Sequence, residues 1–329
     1  MRIPSQLHRR LLLTLGAMAL AMQLVPVAHA QVGNGRPVRI IVPFTAGSQT
    51  DVVARMISRP MADYLKQTVV VDNRPGATGT IGAQSLLADP ADGATLLFVS
   101  SAFAVLPSSG LRLPYDPVKD VQALSIVARS PTVLFASKAS GFKTTAELVA
   151  AAKAKPGSLN FASSGIGSGT HLNAEYLANV AGFQATHIPY KGGRDMLAEV
   201  VANRVDFAFL PASDLVGFGP DKLTMLGVSG KQRIRLAADV PPIAESGLPG
   251  FEYFLWQALL LKAQTPQPAV DRMASAVAYA LADPAVAKGF QDLGIDAMKL
   301  DVNGSRQFVA DEMAKTSALV RSRGLKLSE

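Results

Sequence analysis

Cysteine is absent from the 329-residue sequence, and aromatic residues make up only 6% of it. Without thiols the chain has neither disulfide bonds nor thiolate metal ligands, so its hydrophobic core must stabilise the fold alone. Basic residues are scattered along the chain, and together with the few aromatic residues this argues against a nucleic-acid-binding surface. The apolar run at residues 11–25 is too short to span a membrane.

The first thirty residues have the pattern of a secretory signal peptide. Three arginines, at positions 2, 9 and 10, precede the apolar run, and Ala28 and Ala30 form a small-x-small cleavage pattern. We therefore expect cleavage after Ala30 and export as a soluble protein, to the periplasm if the source is a Gram-negative bacterium. No cysteine follows this position, which excludes a lipid anchor on an N-terminal cysteine. Loss of the three arginines would lower the net charge from +7 to +4, which suits anionic small molecules but is common elsewhere.

Strand-like and helix-like segments alternate along the remainder, which predicts an α/β fold with mostly parallel sheets flanked by helices. Among them, residues 132–137 are expected to form a short strand, Pro60 to interrupt or kink the helix at 50–65, and Thr145 to be the N-cap of the helix near 144–157. About 300 residues exceed a usual single core, so two lobes with a cleft between them are expected. The expected limits are 31–130 for the first part of lobe 1, 131–256 for lobe 2 and 257–329 for the return to lobe 1. Lobe 2 would then be an insertion within lobe 1.

Two glycine-rich junctions stand between a strand and a helix. They are "IIVPFTAGSQTDVVAR" at residues 40–55 and "NFASSGIGSGTHLNAEYL" at residues 160–177. A helix N-terminus presents unpaired N–H groups and a partial positive charge, and small residues let a ligand approach them. One junction in each lobe, facing across the cleft, would bind a carboxylate at each end of a short molecule. The alternative is that both turns only allow strand and helix to pack.

Enzyme and cofactor motifs are missing from these junctions. No lysine follows the glycines as a phosphate-binding loop requires, the GxGxxG spacing is absent, and Ser168 does not stand in a GxSxG turn. Beyond the expected signal peptide there are two histidines, His171 and His187, neither at metal-ligand spacing. We therefore expect no catalytic residue, no metal and no cofactor.

Further polar residues stand near strand ends. Tyr190, Lys191 and Arg194 follow one predicted strand, with a packed aromatic and a solvated lysine as alternatives for the first two. If Arg194 points inward, it would meet a second carboxylate of the ligand. Asp206 is expected to fix loops more than to meet an anion, and Asp51 to cap the first helix.

The motifs "VPFTAGSQTDVVAR", "VVVDNRPGATGTIGAQ", "LNFASSGIGSGTHLNAEYL", "HIPYKGGRDML" and "DVPPIAESGLPGFE" occur in this order. Together they resemble the Bug family, the TctC-like extracytoplasmic receptors of tripartite tricarboxylate transporters. The resemblance covers essentially the whole chain after residue 30. It implies a type II-like, two-lobed periplasmic binding protein, monomeric, that closes on a small carboxylate and delivers it to membrane transporter subunits. Dicarboxylates, tricarboxylates and aromatic acids such as terephthalate are the implied ligands; a carboxylate sensor or, less favoured, an exported hydrolase is the alternative.

The resemblance also implies which residues contact the ligand. They lie in the loop after the first strand, in the second junction, at the strand end near Tyr190 and at a few further positions. The candidate ligand-binding residues are Phe44, Ala46, Gly47, Ser48, Gln49, Thr50, Asp51, Ser101, Ser163, Ser164, Gly167, Ser168, Thr170, His171, Tyr190, Lys191, Arg194 and Asp206. Ser48 replaces a glycine and Ala46 a proline that are usual in the family, so the bound acid is expected to differ.

Overall fold

The computed structural model describes residues 36–76, 79–215 and 221–327. The expected signal peptide, residues 1–30, lies outside them. Within the described ranges, no helix combines the length and the apolar character that a membrane crossing needs.

The described elements alternate between strand and helix over most of the chain. The strands are β1 Val38–Val42, β2 Val69–Asn73, β3 Thr95–Ser100, β4 Val121–Ser137, β5 Asn160–Ser163, β6 Thr186–Pro189, β7 Phe207–Pro211, β8 Leu223–Val228, β9 Phe254–Lys262 and β10 Asp296–Ala297. The helices are α1 Gln49–Leu65, α2 Thr80–Ala88, α3 Thr145–Ala154, α4 Gly169–Ala181, α5 Gly193–Val201, α6 Ala212–Leu215, α7 Gln267–Ala282, α8 Pro284–Asp292 and α9 Val302–Arg323, with 3₁₀ helices at Ser101–Ser108, Lys138–Ser140 and Ile243–Ser246.

The strands form one mixed sheet in the order β2-β1-β3-β9-β4-β7-β5-β6, and β8 and β10 also pair with β4. Pairs among β1, β2 and β3 are parallel, as are pairs among β5, β6 and β7. The predicted α/β class is confirmed. Parallel pairing was expected to dominate, but β4 and β9 form long antiparallel pairs in the middle of the sheet.

Strand β4 passes from one half of the sheet to the other. Its residues pair with β9 as far as Pro131, which lies opposite Phe254, and from Thr132 onward they pair with β7. The sequence predicted only a short strand at residues 132–137. Nearly all side chains of β4 are buried, so apolar residues lie on both of its faces. The strand therefore lacks the alternating pattern by which a longer strand would have been predicted.

We call the part around β1–β3 and β9 the first half, and the part around β5–β8 the second half. Each half has helices and apolar clusters on both faces of its strands. Helix α9 packs on both halves, since Val309 and Met313 join a cluster of the first half while Leu319 and Val320 join one of the second. The predicted lobe limits stay a prediction.

Two local predictions need correction. Helix α3 is capped by Thr144, whose side chain accepts a hydrogen bond from the Glu147 amide, whereas Thr145 was expected to be the cap. The Thr145 hydroxyl is instead buried and donates to the Leu226 carbonyl. The expected interruption of helix α1 at Pro60 is absent, since the helix continues through that residue to Leu65.

Candidate functional site

The N-terminus of α1 lies at the carboxyl end of β1, after a loop of small residues. Ser48 is the N-cap, and its side chain accepts a hydrogen bond from the Asp51 amide at 3.3 Å. Val52 makes the first backbone bond of the helix, to the Ser48 carbonyl. The amides of Gln49 and Thr50 come before any intrahelical acceptor, so they are left to a ligand or to water.

Asp51 holds this loop in place. Its carboxylate accepts hydrogen bonds from the Gly47 amide at 2.9 Å, from Arg55 at 3.0 Å and from the Asn73 side chain at 2.9 Å. Burial alone would raise the pKa of Asp51, but these hydrogen bonds and the Arg55 charge outweigh it and keep the pKa below its usual value. Both carboxylate oxygens of Asp51 already accept hydrogen bonds from the protein, so we assign Asp51 a structural role in holding the loop.

The N-terminus of α4 has a denser polar network. Ser168 is its N-cap and accepts from the His171 amide. The Thr170 hydroxyl lies 3.0 Å from the Ser164 hydroxyl and 3.1 Å from the Ser168 hydroxyl, and it accepts from the Ser164 amide. The Gly167 amide donates to His171 Nδ1 at 3.1 Å. The loop is thus fixed by its own side chains.

Two histidines are stacked beneath this loop. The rings of His171 and His187 lie 3.8 Å apart between centroids, with planes 13° apart, and Ser163 Oγ lies 2.6 Å from His187 Nε2. Burial, together with the adjacent His187, lowers the pKa of His171 to about 3. Burial lowers the pKa of His187 to about 4. His171 was predicted as a ligand contact, but the structure places it in the core, where it supports the loop.

The α4 N-terminus also touches the first half. A methyl group added at Gly169 would overlap Leu255 Cδ2 and would lie 2.8 Å from Ser101 Oγ. Likewise, a methyl group at Gly167 would lie 3.5 Å from Val105. Small residues at this junction therefore let the second half approach the strands and the 3₁₀ helix of the first half. Ser101 is buried at this contact.

A cavity of about 830 Å³ separates the loop before α1 from the start of α5. It brings together five of the predicted ligand residues, four from the first half and Arg194 from the second. Its lining residues are Thr45, Ala46, Gly47, Ser48, Gln49, Gly192, Gly193, Arg194, Asp195, Leu197, Leu210, Ser213 and Asp214. The sequence predicted that the first junction would face the second junction, whereas in this cavity it faces the loop before α5.

Several predicted ligand residues lie elsewhere. Phe44 lines a separate small cavity of about 30 Å³ with Ser100 and Phe103. Tyr190 packs at the edge of an apolar cluster of the second half, where burial and the Glu199 charge raise its pKa, with Arg204 acting in the opposite direction. The Lys191 side chain is exposed to solvent.

Asp206 does not belong with these residues. It precedes β7, so it lies at the opposite end of the strand from the cavity. Its carboxylate accepts from the Asn160 amide at 2.7 Å, and its own amide donates to the Asn160 side chain at 3.0 Å. These two bonds join the starts of β5 and β7. Asp206 is therefore a structural residue, and we exclude it from the candidate site.

Sequence reasoning missed Asp214, which follows the end of β7 and lines the cavity. Burial raises the pKa of its carboxyl group, while Ser213 and the Arg194 charge act in the opposite direction. The rule that ligands meet the carboxyl ends of parallel strands applies to "FLPASD" as well as to the glycine-rich junctions. That rule would have selected Asp214 over Asp206.

The described residues contain no group of three or more histidine or acidic side chains arranged to hold a metal ion. The candidate site instead consists of helix N-termini, hydroxyl groups and charged side chains of both signs around an open cavity. Such an arrangement can bind a small polar molecule through hydrogen bonds and charge.

Comparison with known proteins gives a consistent result. The sequence model described as "Tripartite tricarboxylate transporter family receptor" (TctC) matches residues 53–325. A UPF0065 protein from the tcbD-tcbE intergenic region of a Pseudomonas species is 35% identical over 278 residues, which are 84% of this chain and 82% of that protein. Protein BugT of Bordetella pertussis is 32% identical over 328 residues, covering 97% of this chain and 98% of BugT.

Solved structures are similar over nearly their whole length. The periplasmic binding protein BugD shares 28% identity with a TM-score of 0.73, covering 88% of this chain and 98% of BugD. MatC from Rhodopseudomonas palustris, solved with bound malate, shares 28% identity with a TM-score of 0.74, over 87% of this chain and 99% of MatC. An R. palustris protein solved with adipate shares 28% identity with a TM-score of 0.76, over 88% and 97% of the two chains.

Proposed function

The chain belongs to the tripartite tricarboxylate transporter receptor family, and we propose that it captures a small organic carboxylate in the cavity between α1 and α5. This membership confirms the resemblance to the Bug family that the sequence motifs indicated. The family consists of solute-binding receptors, so a binding protein is favoured over an enzyme. In the proposed role the receptor is monomeric, acts in the periplasm after removal of residues 1–30, and delivers its ligand to the membrane subunits of a transporter.

The cavity carries the proposal. On one wall, Gln49 lies at the positive end of α1, where its amide precedes any intrahelical acceptor and favours an anion. On the opposite wall, Arg194 supplies a guanidinium group. Hydrogen bonds to a charged group contribute about 1.5–3 kcal/mol each, so a few of them support binding of a carboxylate.

The volume of the cavity and the ligands of two structural relatives support the same class of ligand, the small organic carboxylates. A volume of about 830 Å³ lies within the range of small-molecule sites and admits an aliphatic dicarboxylate, a tricarboxylate or an aromatic acid such as terephthalate. Two structural relatives were solved with malate and with adipate, both dicarboxylates. We extend the carboxylate class to this chain on the strength of the α1 N-terminus and Arg194.

The walls of the cavity come from the two halves, so a bound ligand contacts both. A ligand that touches both halves binds the closed arrangement more tightly and shifts the population toward it. Trp256 is the single tryptophan of the chain and lies on β9, where its Nε1 donates to Glu312 of α9. Because α9 packs on both halves, we propose Trp256 fluorescence as a reporter of closure.

The proposal is tested by thermal unfolding with a panel of acids: succinate, adipate, malate, citrate, aspartate, glutamate, benzoate and terephthalate. A ligand at about a hundred times its dissociation constant should stabilise the protein by about 2.7 kcal/mol, a shift of a few degrees. Protein that has been unfolded and refolded should be used, so that a co-purified ligand does not occupy the site.

A charge placed at the α1 N-terminus provides the specific test. Ser48→Asp keeps a good N-cap, but adds a negative charge to the cavity wall and should abolish the thermal shift. Thr144→Asp makes the same exchange at the N-cap of α3 and should leave the shift intact. If no acid shifts the unfolding temperature, or if both variants respond like the wild type, the proposed function is wrong.

A further inference from the structure

A second cavity lies in the first half of the molecule, and we call it the α7 cavity. Its volume of about 480 Å³ falls within the roughly 300–1,000 Å³ of small-molecule sites. Its walls come from residues 124–125 of β4, from residues 274–282 of α7 and from residues 298–302, which lead from β10 into α9. Among the described residues, it shares none of its lining with the cavity between α1 and α5. The α7 cavity is therefore a separate candidate for a ligand.

A β-bulge in β4 forms the base of the α7 cavity. In the pairing with β9, Ala123 and Ser125 lie opposite the consecutive residues Leu260 and Leu259. Leu124 is therefore an extra residue on β4. Neighbouring side chains of a regular strand point to opposite faces of the sheet, but Leu124 and Ser125 both line this cavity. The bulge thus directs the Ser125 hydroxyl into the cavity, as bulges commonly do near functional sites.

The Ser125 hydroxyl is the polar group at this base. Ser125 is only 6% exposed, and its hydroxyl has no hydrogen-bond partner among the residues that the structure describes. Ser275, the other serine of the lining, already donates to the Asp271 carbonyl at 2.8 Å. A buried hydroxyl without a partner is unfavourable, and an ordered water would need about two to four polar partners of its own. One free hydroxyl among apolar side chains therefore suits a single oxygen atom of an organic molecule.

The walls of the α7 cavity are mostly apolar. Helix α7 contributes four apolar residues that are spaced to lie on one face of the helix, namely Ala274, Ala278, Leu281 and Ala282. Met298, Leu300 and Val302 form another wall. Both walls favour the apolar body of a ligand, since its contact with them removes apolar surface from water.

Charge in the α7 cavity is confined to its rim. Lys299 and Asp301 are both exposed to solvent, and Asp301 already accepts a hydrogen bond from the Gly304 amide at the start of α9. The buried residues at the base, Leu124 and Ser125, are neutral. An ionised ligand group would lose its hydration at the base without gaining a partner of opposite charge. The cavity therefore favours a neutral ligand.

We propose that the α7 cavity binds a small, neutral, mainly apolar molecule of the phenol or alcohol class, and that Ser125 forms a hydrogen bond with its hydroxyl group. The apolar walls bury the body of the molecule, and this burial supplies most of the affinity. The hydrogen bond to Ser125 fixes the orientation of the molecule and discriminates against pure hydrocarbons. The inference is independent of the proposed carboxylate site, because the described lining residues of the two cavities do not overlap.

Isothermal titration with 4-ethylphenol and with ethylbenzene tests the hydrogen bond, since these probes differ only in the hydroxyl group. The phenol should bind about fivefold more tightly, as expected for one hydrogen bond between neutral groups. Ser125→Ala should remove this difference. Ser130→Ala should keep it, because Ser130 is an equally buried serine of β4 that does not line the cavity. The inference is overturned if neither probe binds, if both bind equally well to the wild type, or if Ser125→Ala keeps the preference.

Filling the cavity locates the bound probe. Ala278 is exposed on α7 and lines the cavity, so Ala278→Phe should occupy the space and abolish binding of 4-ethylphenol. Ala287→Phe is the matched control, since Ala287 is an exposed alanine of α8 outside the lining. Ser48→Asp, which alters the carboxylate site, should leave the affinity for the phenol unchanged. Wild-type affinity in Ala278→Phe, or lost affinity in Ser48→Asp, would show that the phenol binds elsewhere and would overturn the inference. Failure of the carboxylic acids alone, with normal binding of the phenol, would overturn only the proposed function.

Discussion

Mild acid should destabilise this protein through its stacked histidines. His171 and His187 remain neutral in the folded chain because burial lowers the pKa of each, to about 3 and about 4. In the unfolded chain both have the ordinary pKa of about 6.5 and take up protons as the pH falls below it. The stability that comes from the neutral pair is therefore complete above about pH 6.5 and is lost progressively as the pH falls toward the folded values.

The size of this effect follows from the lowered pKa of His171, a residue that is only 3% exposed. One pKa unit corresponds to about 1.4 kcal/mol, so lowering the pH from 7 to 5 should reduce the free energy of unfolding by about 2 kcal/mol through His171. His187 is only half-buried and adds a smaller amount in the same direction. Glu175 lies 3.9 Å from His171 Nε2 and would favour protonation, but it is already paired with Arg323 at 2.8 Å.

Urea unfolding followed by Trp256 fluorescence at pH 7, 6 and 5 measures this change. Two variants isolate the histidine contribution from that of carboxyl groups. His171→Asn places an oxygen near the position of Nδ1, which accepts from the Gly167 amide, and His187→Gln does the same for Nε2 beside Ser163. Each variant is expected to be less stable than the wild type at pH 7 but to lose less stability on acidification.

The assignment is tested by comparing how much stability each protein loses between pH 7 and pH 5. The wild type should lose about 2 kcal/mol more than His171→Asn between pH 7 and pH 5. Equal losses in the two proteins would refute the assignment, as would a proton titration of the His171 ring near pH 6.5 seen by NMR. Either result would mean that the stacked pair is accessible to protons in the native state.

Two further substitutions test the loops that border the site. Asp51→Asn replaces one acceptor by a donor beside donors such as the Gly47 amide, so we expect a loss of about 2–3 kcal/mol in urea unfolding; a loss below about 0.5 kcal/mol would contradict the role of Asp51 as an anchor. Gly169→Ala should lower stability by about 1–3 kcal/mol through overlap with Leu255, whereas Gly192→Ala, with open space and extended backbone, serves as its control. Equal stability of the two alanine variants would show that Leu255 moves aside freely.

Local sequence rules predicted much of the architecture. Strand–loop–helix alternation and the small residues before α1 and α4 correctly placed a helix after each junction. The cap of α1 was misassigned, since Asp51 was expected and the N-cap is Ser48, while Asp51 accepts from the Gly47 amide. The cap of α3 was misplaced by one residue, since Thr144 and Thr145 have equal propensity for this position. Burial of Thr145 against Leu226 decides between them, and burial is a tertiary property.

The candidate site was less predictable than the fold. Ser48 and Arg194 were identified from their junctions, and both line the cavity. The path of β4 across the sheet determines which loops face each other across the cavity. A sequence pattern does not predict that path. His171 shows the same limit: its position at a helix start suggested a ligand contact, but stacking on His187 places it in the core. Whether the lining residues bind the ligand stays a prediction.

The pairing of β3 with β9 also determines the order in which the chain can fold. Leu97 lies opposite Leu260, so the first half acquires a central strand that is synthesised near the end of the chain. Strands β5, β6 and β7 are close together in sequence and can associate much earlier. Long-range pairing slows folding, because a long loop must close before its contacts stabilise anything. A nascent chain therefore stays incompletely folded until β9 has been made, however early β5, β6 and β7 associate.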